Sequence, residues 1–132
     1  MLASRAGDLV FLSGHLPQPA DGPLVTGTLG GPHGLTPDEG YAAARLCGLS
    51  LLATLRAELG GDLDRVARVH KLVGFVACAE GFAAQPAVIN GCSDLMGDVF
   101  GERGRHARSA VGTNALPLGV PVEIEAIFEV RD

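Results

Sequence analysis

Aromatic residues make up only 5% of the 132-residue chain, and tryptophan is absent. A core therefore has to be built from leucine, valine, isoleucine and alanine. Charge is scarce as well, at 19% of residues against 47% hydrophobic, which excludes a disordered chain because ample apolar surface is available to offset the entropy of ordering. There is no basic surplus: 10 Lys and Arg stand against 15 Asp and Glu, for a formal charge of -5. General binding to nucleic acid or to an anionic membrane would need a field of the opposite sign, so neither partner is expected, although a local cationic site is not excluded. Three cysteines, Cys47, Cys78 and Cys92, form no CxxC pair and are too few for a disulfide scaffold. They read as buried free thiols. No apolar segment flanked by basic residues opens the chain, and no uninterrupted apolar run is long enough to cross a bilayer, so a cytoplasmic location is the expectation.

The length suits one domain over residues 1–132. Leu9 to Ser13 reads as a buried strand ending at Gly14, and Leu24 to Thr28 as a second one after the turn chemistry of Pro17, Pro19, Asp21, Gly22 and Pro23. Thr36, Pro37, Asp38 and Glu39 combine a hydroxyl cap, a proline where no amide donor is needed, and a glutamate placed to close a capping box. The helix that starts there should run to Gly60 and Gly61, with Ala42, Leu46, Leu49 and Ala53 recurring at helical spacing. Val66 to Cys78 reads as a strand in which Gly74 marks a bulge or a close approach. Pro86 belongs in the first turn of a second helix that carries Val88, Cys92, Leu95 and Val99 on one face and stops at Gly101. Ser109 to Ala115 and Pro121 to Val130 are the last strands, joined by a turn over Leu116 to Gly119. In the final strand Val122, Ile124, Ala126, Phe128 and Val130 share one face, while Glu123, Glu125, Ile127 and Glu129 share the other. The order predicts an α+β fold: a mixed sheet with two helices packed on one face. The uncovered face, with Ile127 on it, predicts subunit contact.

The histidines, His15, His33, His70 and His106, show no metal-ligand spacing, and no serine sits in a GxSxG elbow. Neither a metal site nor a serine hydrolase is expected. The densest cationic stretch is Gly101 to Ser109, which holds Arg103, Arg105, His106 and Arg108. Arg103 and Arg105 suit a solvated helix C-terminus, where cations are favoured. Arg108 differs, because it opens an otherwise apolar strand where a guanidinium needs an anion. Either Glu123, at the start of what is read as the adjacent strand, is that partner, or a ligand carboxylate is and Glu123 has another role.

Taken together, Leu12-Ser13-Gly14, Ala107-Arg108-Ser109, Leu116-Pro117, Val88-Ile89-Asn90 and Val122 to Ile127 make the chain resemble the RidA family, also called the YjgF or L-PSP family, over essentially its whole length. The resemblance implies a chorismate mutase-like fold, a homotrimer with ligand clefts between subunits, and no cofactor. It also implies an imine or enamine deaminase, similar to 2-iminobutanoate/2-iminopropanoate deaminases, which hydrolyses small reactive 2-imino acids to 2-oxo acids and ammonia. Residue by residue, Arg108 would hold the substrate carboxylate, with Ser13, Gly14, Ala110 and Asn90 beside it. The Gly14 backbone would approach the imine, and Glu123 would position or activate water. Such chemistry needs only an anchor and one acid/base group, because the imine carbon is already electrophilic.

The chain departs from the family pattern at His15, where glutamine is frequent, at His106, where proline is, and at Ala110, where cysteine is. It also begins about eight residues before its first clear strand. An earlier strand and an aromatic wall of the cleft are thus expected to be truncated or built differently. A non-catalytic protein that captures small carboxylate metabolites is the competing reading, distinguished by needing Arg108 without Glu123. An endoribonuclease or translation inhibitor is disfavoured by the acidic charge and the missing basic, aromatic stripe.

Overall fold

A computed structural model describes residues 1–132. Five strands form one mixed sheet: β1 (Ala3–Ala6), β2 (Leu9–His15), β3 (Val66–Ala77), β4 (Ala107–Thr113) and β5 (Val122–Val130). Their spatial order is β1-β2-β5-β3-β4. Two helices, α1 (Pro37–Glu58) and α2 (Gln85–Phe100), cover one face. Both β2 and β3 run antiparallel to the last strand, which is inserted between them, and β4 lies parallel to β3 at the edge. A parallel pair needs a crossover, and α2 supplies it.

The capping box forms as the sequence requires: the Thr36 hydroxyl accepts from the Glu39 amide, and the Glu39 carboxylate accepts from the Thr36 amide. Cap residues of this kind are each worth about 1 kcal/mol. Behind them Ala43, Ala44, Cys47, Leu51, Leu52 and Leu55 turn inward onto Val10, Leu12, Leu72, Ile124 and Phe128. Each fully buried leucine or valine contributes roughly 1.5–3 kcal/mol. On α2 the inward residues are Val88, Ile89, Cys92, Leu95, Met96 and Phe100, whereas Val99 is exposed. Gly74 is indeed a close approach, because a methyl placed there would lie 2.4 Å from Ile89 Cδ1.

Four expectations are corrected. The stripe Ala42, Leu46, Leu49 and Ala53 is not the covered face of α1: Ala42, Leu49 and Ala53 are exposed and Leu46 is half-buried, because the helix turns the positions beside them, Ala43, Cys47 and Leu51, onto the sheet. A strand does precede Leu9: Ala3–Ala6 pairs with β2 in a hairpin turned at Gly7, whose φ of 60° suits glycine. Leu24 to Thr28 is not a strand. Its amides reach only loop carbonyls, Val25 to Pro17 and Gly27 to Gly119, and Leu29 alone bridges to Cys78 at the end of β3. Finally, β4 begins at Ala107 and ends at Thr113, so Arg108 lies inside it. No helix is long and apolar enough to cross a membrane.

Candidate functional site

Arg108 sits on the edge strand in register with Leu72, whose side chain is fully buried beneath the helices. Alternation along a strand therefore sends Arg108, Ala110 and Gly112 toward α2. There the Arg108 Nη1 donates to Asn90 Oδ1 at 2.6 Å and to Ser93 Oγ at 3.2 Å. Asn90 and Ser93 are three apart on α2 and share a face. The Arg108 Nε and Nη2 make no hydrogen bond, and no carboxylate lies within ion-pair distance of the guanidinium. A half-buried arginine on a strand edge is thus held by neutral oxygens with one edge of its fork free.

Ser93 leads on to His106. Its Oγ lies 2.9 Å from His106 Nε2, and His106 Nδ1 lies 2.6 Å from the Gly104 carbonyl. A carbonyl only accepts, so Nδ1 carries the proton and Nε2 accepts from the Ser93 hydroxyl, which in turn accepts from Arg108. The chain of donors runs from Arg108 through Ser93 and His106 to the backbone. Burial lowers the His106 pKa, the Gly104 hydrogen bond offsets part of that, and Arg108 lowers it further. Ser93, Gly97, Gly104, Arg105, His106 and Arg108 line an open hollow of about 470 Å3.

Glu123 is elsewhere. It pairs with Phe75 on β3 and faces away from the helices, whereas its neighbours Val122 and Ile124 are buried beneath them. The strand β3 separates it from Arg108, so the two are neither adjacent nor on one face. Of the two alternatives for Arg108, the one that makes Glu123 its partner within one chain is therefore overturned by strand order, which sequence adjacency does not reveal. Glu123 lies instead against Gly14, where a Cβ would come within 2.7 Å of its Cδ. Gly14 belongs to an irregularity of β2, between the Leu12 and His15 pairings, that gives two strand positions to one on β5. Ser13 in the same irregularity donates through its amide to Leu2 O at 3.0 Å and ties the two N-terminal strands together.

The predicted site residues thus divide into two groups. Arg108, Asn90 and Ala110 gather at the α2 edge, while Ser13, Gly14 and Glu123 gather at the far end of the open face. Ser93 was not singled out from sequence; its signal is the spacing of three from Asn90. His15 is almost fully buried and bridges the Ser13 carbonyl at 2.6 Å to Thr54 Oγ1 at 2.8 Å, a structural latch of β2 onto α1. Arg103 is no free surface residue either, since its guanidinium donates to the Val66 carbonyl and lies 5.8 Å from the centroid of the Phe100 ring.

A sequence model of the family described as "YjgF/chorismate_mutase-like, putative endoribonuclease" matches residues 3–127. Protein TCP17 of Trypanosoma cruzi is 48% identical over 128 residues, covering 96% of this chain and 78% of its own. Among solved structures, protein Atu1372 of Agrobacterium tumefaciens, described as of unknown function, superposes with a TM-score of 0.94 at 42% identity, over 99% of this chain and 81% of that one. A protein of Shewanella oneidensis described as a "putative endoribonuclease" superposes with a TM-score of 0.91 at 31% identity, over 98% and 84% of the two chains.

Proposed function

Because the chain belongs to the YjgF/chorismate mutase-like family, we propose that it hydrolyses small reactive 2-imino acids to 2-oxo acids and ammonia, with Arg108 as the carboxylate anchor. The observation that carries this reading is the Arg108 guanidinium, half-buried, fixed by Asn90 and Ser93, and lacking any carboxylate of its own chain. A planar fork with a free edge suits a bidentate carboxylate.

The anchor presents the imine carbon to water. The water oxygen adds to that carbon and the π pair passes to nitrogen, while Glu123 takes the water proton and returns it to the nitrogen. The carbinolamine then collapses: Glu123 takes the hydroxyl proton and delivers it to the amine nitrogen, the oxygen lone pair rebuilds C=O, the C–N bond breaks and neutral ammonia leaves. Within one chain Glu123 faces the wrong side of the sheet for this. The proposal therefore includes a homotrimer in which Glu123 of one copy is brought to Arg108 of the next through the open face. That face carries exposed Phe11 and Val111 beside half-buried Val73, Phe75 and Ile127, an apolar patch suited to self-association.

The separation of Glu123 from Arg108 also favours one competing reading, a protein that binds small carboxylates without turnover. An endoribonuclease reading fits less well, since the chain has a charge of -5 and few aromatics. The test is a coupled assay in which a threonine dehydratase generates 2-iminobutanoate and 2-oxobutanoate release is timed. Acceleration by the wild-type protein, loss of it in Arg108→Ala and in Glu123→Gln, and partial recovery when the two variants are mixed and allowed to exchange subunits are the expected results. No acceleration, with 2-oxobutanoate still bound, leaves the binding reading. A monomer mass by light scattering overturns the shared site.

A further inference from the structure

The hollow beside Arg108 holds a second guanidinium, that of Arg105. None of its lining residues is hydrophobic, and none is a carboxylate; they are Ser93, Gly97, Gly104, Arg105, His106 and Arg108. Two guanidiniums therefore face one small hollow with no carboxylate of the chain among its walls. We propose that this hollow takes a second anionic group of the substrate, so that the preferred substrate is a 2-imino acid carrying a distal carboxylate, held by Arg105 while Arg108 holds the first. The inference rests on the carboxylate-anchor reading of Arg108 and narrows it to a substrate class.

Three features support it. Arg105 is paired only with Glu102, at 3.4 Å, and both side chains are largely exposed, at 76% and 85%. Exposed pairs of this kind contribute little and are readily exchanged for a ligand. Second, the volume of about 470 Å3 admits a small acid of five or six carbons, because binding pockets for small molecules begin near 300 Å3. Third, Gly97 has open space where a Cβ would stand, so the residue type there leaves the hollow unobstructed, whereas Gly104 lacks room for one beneath the Met96 carbonyl. His106 contributes no donor while neutral, because Nδ1 is engaged by Gly104 and Nε2 by Ser93; its part is to fix the wall.

The test compares 2-oxoglutarate with 2-oxopentanoate by calorimetry at constant ionic strength, two ligands of equal chain length that differ in a terminal carboxylate against a methyl group. The wild-type protein should bind 2-oxoglutarate roughly threefold to fivefold more tightly, the gain expected of one exposed ion pair. Arg105→Ala should remove that preference and leave 2-oxopentanoate within about twofold. Arg108→Ala should weaken both ligands, and Arg56→Ala, at the end of α1, should change neither. Equal affinities in the wild type, or a preference that survives Arg105→Ala, overturn the inference while leaving the Arg108 reading intact. If neither acid binds, or if both bind Arg108→Ala unchanged, the anchor itself fails and the inference with it.

Discussion

Replacement of Gly74 by alanine examines the seam that holds α2 against the sheet. A Cβ at this position would stand 2.4, 2.6 and 2.9 Å from the Cδ1, Cγ1 and Cγ2 of Ile89, all well inside van der Waals contact. Ile89 is fully buried and β-branched, so its χ1 has little freedom to swing away and the helix has to shift. Overpacking of this kind costs typically 1–3 kcal/mol. Restricting the unfolded chain returns roughly 0.4–1 kcal/mol, so a net loss of about 1–2 kcal/mol is expected. Ile89→Ala alone should cost about 2–5 kcal/mol through its cavity. In the double variant the alanine methyl occupies space that Ile89 vacates, and the two losses should fall short of their sum by roughly 1–3 kcal/mol. Urea denaturation of the four proteins reads the cycle. Additive losses, or a Gly74→Ala variant as stable as the parent, would refute the close approach. Because Asn90 follows Ile89 on the helix, the same shift should loosen Arg108, and Gly74→Ala should weaken 2-oxobutanoate binding as well.

Arg108→Ala should reduce affinity for a 2-oxo acid about 30-fold or more, since removing one partner of a desolvated charge pair costs roughly 2–5 kcal/mol. Its melting temperature should fall only slightly, because neutral Asn90 and Ser93 are left behind and no buried charge is stranded; a large loss of stability with unchanged affinity would contradict the anchor. His106 should titrate below an ordinary histidine in an NMR pH series. With the folded pKa depressed, the unfolded chain binds more protons, so this residue's contribution to stability falls as pH drops through the unfolded value near 6.5 toward the lower folded one. The slope in that window should flatten in His106→Gln. Burial pushes the Cys92 thiol up to about 12 and the Cys47 thiol well above its ordinary value, with Cys92 and Glu123 adding to the latter. A thiol reagent applied to the native protein should therefore modify half-buried Cys78 first, and replacing all three cysteines should leave 2-oxobutanoate release intact; early modification of Cys47 or Cys92 would argue against the packing described.

Much of the fold was legible because local signals and burial agreed. Thr36 to Glu39 specify the start of α1 by hydrogen bonds made within four residues, and the alternation from Val122 to Val130 specifies which side of β5 is covered. β1 was not legible: Ala3 to Ala6 is short, mostly exposed and has no alternating apolar face, so its strand character comes from pairing with β2 rather than from its own composition. Leu24 to Thr28 misled in the opposite sense, since apolar residues suited to a strand occur where Gly27, at φ 133°, and irregular loop pairing prevent one. At the site, Arg108 was legible as a guanidinium on an apolar strand. Its true partners were not, because Asn90 and Ser93 meet it only once α2 has crossed back over the sheet.

That crossing also explains why two residues that look like a pair in sequence cannot be one in a single copy. Arg108 and Glu123 are only one turn apart along the chain, but β5 does not lie beside β4; it runs on the far side of β3. The register then assigns them opposite faces, Arg108 with Leu72 and Glu123 with Phe75. A half-buried guanidinium and a carboxylate held apart in this way form no ion pair within one chain, so each must be explained by what else it meets. For Arg108 the fold supplies neutral hydrogen-bond acceptors and leaves a charged edge vacant; for Glu123 it supplies the missing side chain of Gly14 and an apolar face around it. Two half-sites on opposite faces of one sheet, one bordering an apolar face, are compatible with the shared site proposed above. On the proposed reading, self-association is accordingly part of the catalytic apparatus, and dilution below the dissociation range should abolish turnover while Arg108 retains its grip on Asn90.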